Sequence, residues 1–221
     1  MTDDSRDGEF TSTARLDAAE QLRRLGHALV SHEIDDGQLA EIASLAEQMS
    51  STIESGPARG HGFLQPGFDI FTSAQEDHSA ATALQALPDC IVSGSANPMG
   101  MAAKFYRQDD EAICRVALGA AFEGAPERAH GGIVTALFDH TMGIATAPTP
   151  AFTGRISVSF RAPTPLHQPL EIRARVVERQ GRKLTVTAEL HCDGELLAEG
   201  DGLFITMDPT LLASIRSAPS P

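Results

Sequence analysis

Positive charge is scarce in this chain: 17 Lys and Arg stand against 30 Asp and Glu, for a formal net charge of -13. A surface of that sign repels phosphate backbones and anionic headgroups, which argues against nucleic acid and membranes as partners. Long apolar runs are missing too. No stretch approaches the ~18 apolar residues of a membrane span, and the acidic residues 1–10 lack a basic segment followed by an apolar one. A soluble, cytoplasmic protein is the expectation. Cysteine is limited to Cys90, Cys114 and Cys192, an odd number at wide spacing without a CxxC pair. That pattern argues against a disulfide framework and a zinc knuckle, so reduced thiols and no metal site are expected. Neither GxSxG nor a phosphate-cradling P-loop occurs, which disfavours a serine nucleophile and nucleotide binding, and no cofactor is expected.

Apolar material is plentiful: 42% of 221 residues are hydrophobic, enough for one domain with an appendage. Leu16, Ala19, Leu22, Leu25 and Leu29 recur at steps of three and four, as do Leu39, Ile42, Ala46, Met49 and Ile53 beyond the Asp35-Asp36-Gly37 break. They predict two amphipathic helices, each with one apolar stripe to pack on the other, on the domain or on a partner. Residues 55–88 are rich in Gly, Pro, Ser and Ala without a sustained period and read as a linker, so 1–88 forms an N-terminal helical extension. The main domain is expected over 89–208, with a tail at 209–221. Within it, 101–106 and 113–118 predict a strand pair turned at 108–111. The segment 131–145 is apolar on nearly every side, as in a helix enclosed by other elements. Ile156, Val158 and Phe160, then Leu170 to Val176, then Leu184 to Leu190 keep a period of two, with hairpin turns at Gln180-Gly181-Arg182 and Asp193-Gly194. The fold class is therefore α+β, with one long central helix and a curved antiparallel sheet of five or six strands ending near Met207.

Asp139 interrupts the apolar helix between Phe138 and His140, too far from its start to act as a cap. Burying a carboxylate without partners is costly, so Asp139 is either bonded to a nearby Thr or Arg or used in chemistry. At the helix entry, His130-Gly131-Gly132 offers free N–H groups and the positive end of the dipole, where a developing oxyanion can be held. The bland alternative is an ordinary Gly turn with a capping His130. Asp139 lies nine residues beyond His130, ~13 Å along a helix axis. A site using both is more naturally completed by a second subunit.

The stretch Phe122-Glu123-Gly124-Ala125-Pro126-Glu127-Arg128-Ala129-His130-Gly131-Gly132, followed by Asp139 and by the strand closing in Phe160-Arg161-Ala162-Pro163, resembles the PaaI-like branch of the hotdog acyl-CoA thioesterases. Within that branch it is most similar to the mammalian thioesterase-superfamily members with an FEG-P-AHGG segment. The resemblance covers about 97–207 and leaves out the N-terminal helices. It implies a hotdog fold, a helix wrapped by an antiparallel sheet, with acyl-CoA as substrate. It further implies a homo-oligomer, a dimer or dimer of dimers, in which two subunits share a continuous sheet and active sites lie at their interface. By position, Asp139 matches the family's nucleophile or general base, Thr153 a residue that assists the water, and Gly131 and Gly132 the carbonyl-polarising turn. His130 matches the histidine ahead of that turn. One departure is that many relatives place an Asn where this chain has Glu123-Gly124; a carboxylate cannot donate to a thioester oxygen, which leaves polarisation to backbone N–H groups.

Arg155, Arg161, Arg173, Arg175, Arg179, Arg182 and Lys183 gather in an otherwise acidic chain. As a group they can hold CoA phosphates, although a solvated strand face is the commoner role for any one of them. His191 and Cys192 should point to opposite faces of a strand and make poor co-ligands. Two rival readings are a hotdog dehydratase of hydroxyacyl thioesters and a non-catalytic acyl-CoA sensor using the N-terminal helices. The dehydratase would need a His base beside an acid, and adjacent helical residues such as Asp139 and His140 diverge by ~100°.

Overall fold

The computed structural model describes residues 12–58, 82–83 and 87–207. Two helices come first, α1 (Thr13–Ser31) and α2 (Asp36–Glu54). Ser12 and Asp35 cap them by accepting the N–H groups of Arg15 and Gln38 through their side-chain oxygens, the reason short oxygen-bearing residues favour that position. Most of the 55–88 linker, and all of the 209–221 tail, lies outside the described residues. Thr82–Ala83 nevertheless form a short strand, β1, so part of the linker joins the sheet.

The remaining elements are β2 (Lys104–Gln108), β3 (Glu111–Val116), a 3-10 turn (Ala120–Phe122), α3 (Gly131–Ala145), β4 (Ala151–Phe160), β5 (Leu170–Gln180), β6 (Lys183–Cys192) and β7 (Glu195–Thr206). The strands form one antiparallel sheet in the order β1-β2-β3-β5-β6-β7-β4: six strands of five residues or more, plus the β1 edge. The 101–103 part of the first predicted strand is instead a loop, tied by N–H groups of Met101 and Ala103 to the carbonyls of Ile91 and Val92. Between β6 and β7, Asp193 (φ 48) and Gly194 (φ 84) are both left-handed, as a two-residue hairpin matching the sheet's twist requires.

α3 carries the chain from β3 across the sheet to β4 at the far edge. It buries Val134, Leu137, Phe138, Thr141, Met142 and Ala145 in a core shared with Cys114, Ile172, Val186 and Phe204. Each large apolar side chain removed from water there contributes roughly 1.5–3 kcal/mol. Two glycines in β7 let the helix approach: a Cβ on Gly202 would lie 2.9 Å from the Met142 sulfur, and one on Gly200 would lie 3.2 Å from the Phe138 ring. α3 is less enclosed than its composition implies, since Ile133, Ala136, Asp139, His140 and Ile144 are only partly buried. A single sheet wraps one side of a helix and leaves the other flank for something else to cover. Of the N-terminal helices, α1 packs on the 3-10 turn and buries Ala19. α2 buries nothing; Met49 and Ile53 of its apolar stripe are 58% and 75% exposed.

Candidate active site

The entry to α3 is built by a tight loop. Gly124 N–H donates to Arg128 O, His130 N–H to Phe122 O, and Ala129 N–H to Thr164 O in the segment after β4. Glu127 sits at φ 64 and its N–H is held by the Glu123 carboxylate. The departure at Glu123 thus has a structural role: the side chain faces into its own loop and supports it. Gly124 is required by close approach, because a Cβ there would fall 2.8 Å from His130 Cα.

His130 is the N-cap of α3, and its Nδ1 accepts the Gly132 N–H at 3.0 Å. Its remaining ring proton is therefore on Nε2 when the ring is neutral. The cap divides the two glycines. Gly132 has its N–H engaged, so it is not a free donor in this conformation, whereas the Gly131 N–H has no hydrogen-bond partner among the described residues. The Phe160 ring, half exposed at the end of β4, stands over this point, 3.4 Å from where a Gly131 Cβ would be.

Asp139 lies half-buried on the flank of α3 that faces β4. Thr153 Oγ1 donates to Asp139 Oδ1 at 2.7 Å, so two residues fourteen apart in sequence meet across helix and strand. What brings Thr153 inward is a β-bulge. β4 pairs with β7 as Thr153 to Phe204 and then Arg155 to Leu203, leaving Gly154 as the extra residue. Without it, the alternation that points Ile156, Val158 and Phe160 at α3 would point Thr153 away; one extra residue reverses the phase. The strand pattern in the sequence could not reveal that reversal, though an isolated Gly in a strand is the usual mark of one.

The basic residues are not brought to this site. Arg155, Arg161 and Arg173 alternate with core positions and lie on the sheet face away from α3. Arg155 pairs with Asp201 at 3.0 Å, Arg161 with Glu199, and Arg173 with Glu171 at 2.7 Å and Glu111 at 3.1 Å. Arg182 donates to Thr206 O. His140 turns from Asp139, as the helical offset requires: its ring packs on Phe105 with centroids 4.8 Å apart, and its Nδ1 lies 3.9 Å from Cys90 Sγ. A second contact of this kind lies ahead of the entry loop, where His27 Nδ1 accepts the Ala121 N–H at 3.0 Å. Neither has a local motif, because both join segments far apart in the chain.

Residues 127–199, from the entry loop through α3 into β7, match the thioesterase superfamily. Acyl-coenzyme A thioesterase THEM4 of Mus musculus is 30% identical over 94 residues, covering 41% of each chain. The same enzyme of Rattus norvegicus is 28% identical over 111 residues, covering 48% of each. The matched region is thus less than half the length of these relatives. A solved thioesterase superfamily protein superposes with a TM-score of 0.71 at 22% identity, over 88% of this chain and 92% of its own. That coverage exceeds the hotdog sheet and helix, so the shared fold extends into the N-terminal part.

Proposed function

We propose that this chain, whose residues 127–199 match the thioesterase superfamily, hydrolyses acyl-CoA thioesters to a free carboxylic acid and CoA. The observation that supports the reading is that Asp139 and Thr153, the two residues the resemblance assigns to acting on water, meet at 2.7 Å on the open flank of α3 beside the edge strand β4, where a bond serving structure alone would call for no partner from the far edge of the sheet. One carboxylate oxygen is held by the hydroxyl, which orients the group and leaves the other oxygen to act. That oxygen either takes a proton from a water attacking the carbonyl carbon or attacks the carbon itself to form a mixed anhydride. The developing oxyanion is met by the Gly131 N–H at the positive end of α3, the C–S bond breaks, and the CoA thiolate leaves to be protonated; on the anhydride route a water then cleaves the anhydride, releasing the acid and restoring Asp139.

The same geometry favours a two-subunit site. Gly131 and Asp139 are eight residues apart, ~12 Å along α3, too far to serve one carbonyl. β4 is an edge strand with its outer side unpaired among the described residues. Antiparallel pairing of β4 with the β4 of a second copy would set the Thr153 end of one strand against the Phe160 end of the other. Asp139 of one copy would then face Gly131 of its neighbour. The half-covered flank of α3 would be enclosed in the same step.

Thiol release from short, medium, long and aryl acyl-CoAs tests the activity, and binding without release would favour the sensor reading. Asp139→Asn is expected to lower kcat by about 100-fold or more with the fold intact. Retention of more than about a tenth of kcat would remove Asp139 from the mechanism. Single turnover in labelled water separates its two roles, since only direct attack leaves label in Asp139.

A further inference from the structure

We propose that Cys90 and His140 form a second reactive centre, a nucleophilic sulfur held by an imidazole, that exchanges with small disulfides and is reversibly modified by them. It stands apart from Asp139 and Thr153 and does not depend on the thioesterase reading. Cys90 lies in the loop ahead of β2. Its sulfur is 3.9 Å from His140 Nδ1 and accepts the Val92 N–H at 3.4 Å. Phe105 packs on the imidazole and fixes it toward the sulfur.

Ser93 completes the cradle. It is 5% exposed, and its Oγ is the one buried side-chain oxygen or nitrogen among the described residues that makes no hydrogen bond. Ser93 stands beside the Cys90 sulfur and lowers the thiol, while its Oγ is left without a bond. A neutral thiol is a weak acceptor and an anionic sulfur a strong one, so ionising Cys90 supplies the partner that this hydroxyl lacks. Asp89, next in the chain, is exposed; among the described residues His140 is the titratable group that lowers the Cys90 thiol.

The chain holds its own controls. Burial pushes the Cys90 thiol up, but the neighbouring His140 and Ser93 outweigh it and bring the thiol down to about 6. Cys114, under α3, is pushed up to about 12 by burial despite a bond from Thr141. Cys192 is raised by burial and by Asp193 and Glu195. Of the three thiols, Cys90 is the one whose surroundings favour the anion, and it is partly open to solvent.

In the exchange, His140 takes the Cys90 proton, the sulfur attacks one sulfur of a small disulfide, a new S–S bond forms as the old one breaks, and the released thiolate takes that proton. A free small thiol runs the step backwards. The test is alkylation of the full chain by iodoacetamide across a pH series, read thiol by thiol by mass spectrometry. Cys90 is expected to show a midpoint near the value of about 6 and to react about 10-fold faster than Cys192 at neutral pH. His140→Gln should move that midpoint toward the ordinary thiol value of about 8.5. Oxidised glutathione should add to Cys90, absent in Cys90→Ser, and dithiothreitol should remove it. Labelling of Cys90 no faster than Cys192 in the unsubstituted chain overturns the proposal, whatever the variants do, and so does a midpoint indifferent to His140→Gln.

Discussion

Gly131 and Gly132 are equivalent as letters, and the folded chain gives them different work. His130 Nδ1 occupies the Gly132 N–H, while the Gly131 N–H stays open under the Phe160 ring. Proline can separate these roles, because the first helical position needs no N–H and its φ suits the ring. His130 at ψ 132 already has the conformation favoured before proline. Gly131→Pro should therefore leave the unfolding temperature nearly unchanged and lower kcat about 10²–10³-fold, the usual loss for one oxyanion donor. Unchanged kcat with acyl-CoA would place the donor elsewhere. Asp139 was legible as an acid on an apolar helix, whereas Thr153 was legible only by resemblance, since its inward direction comes from the Gly154 bulge and not from any local preference.

At the scale of elements, α1 is tied to the loop that builds the entry of α3. His27 Nδ1 accepts the Ala121 N–H at 3.0 Å, its ring meets Phe122 edge-on, and Arg23 donates to Ser95 O and Asn97 O. Phe122 in turn accepts the His130 N–H, so the clamp is one bond from the cap. Gly119 makes room for it, because a Cβ there would fall 2.6 Å from the His27 ring. Burial, then His167 and Arg23, lowers the His27 pKa below its ordinary 6.5. A depressed folded value means the docked state prefers the neutral ring. Docking is therefore fully present above 6.5 and is lost as pH falls through the lower folded value. Hydrogen-exchange protection of the Ala121 amide should decline over that acidic window, and His27→Gln, which keeps an acceptor without titrating, should hold it. Equal decline in both chains would dissociate His27 from the effect. The helices themselves were legible from their period of 3.6; their unequal docking was not, because two similar stripes met different surroundings.

At the scale of the whole molecule, the reading of function requires that Asp139 and Gly131 come from different copies. Coexpression tests this directly. Asp139→Asn and Gly131→Pro chains are each expected to be nearly inactive alone, but a mixed dimer regains one intact site, in which Asp139 of the second chain faces Gly131 of the first. Random pairing makes half the dimers mixed with one site restored in each, so about a quarter of unsubstituted activity should return. No recovery from verified mixed dimers would put both groups in one chain and dissolve the two-subunit account.

The α+β class, the central helix, the β5-β6-β7 meander with its Asp193-Gly194 turn, and the acid on the helix all follow from the order of residues. Each rests on a periodicity or turn chemistry that acts over a few residues, and neighbours in sequence are enough to express it. Only the folded chain settles which glycine keeps a free N–H, that Thr153 reaches Asp139, that Arg155, Arg161 and Arg173 pair with carboxylates, and that Cys90 meets His140. Those outcomes depend on strand order, bulge phase and loop closure, which bring together residues many positions apart and are written in no single stretch of chain.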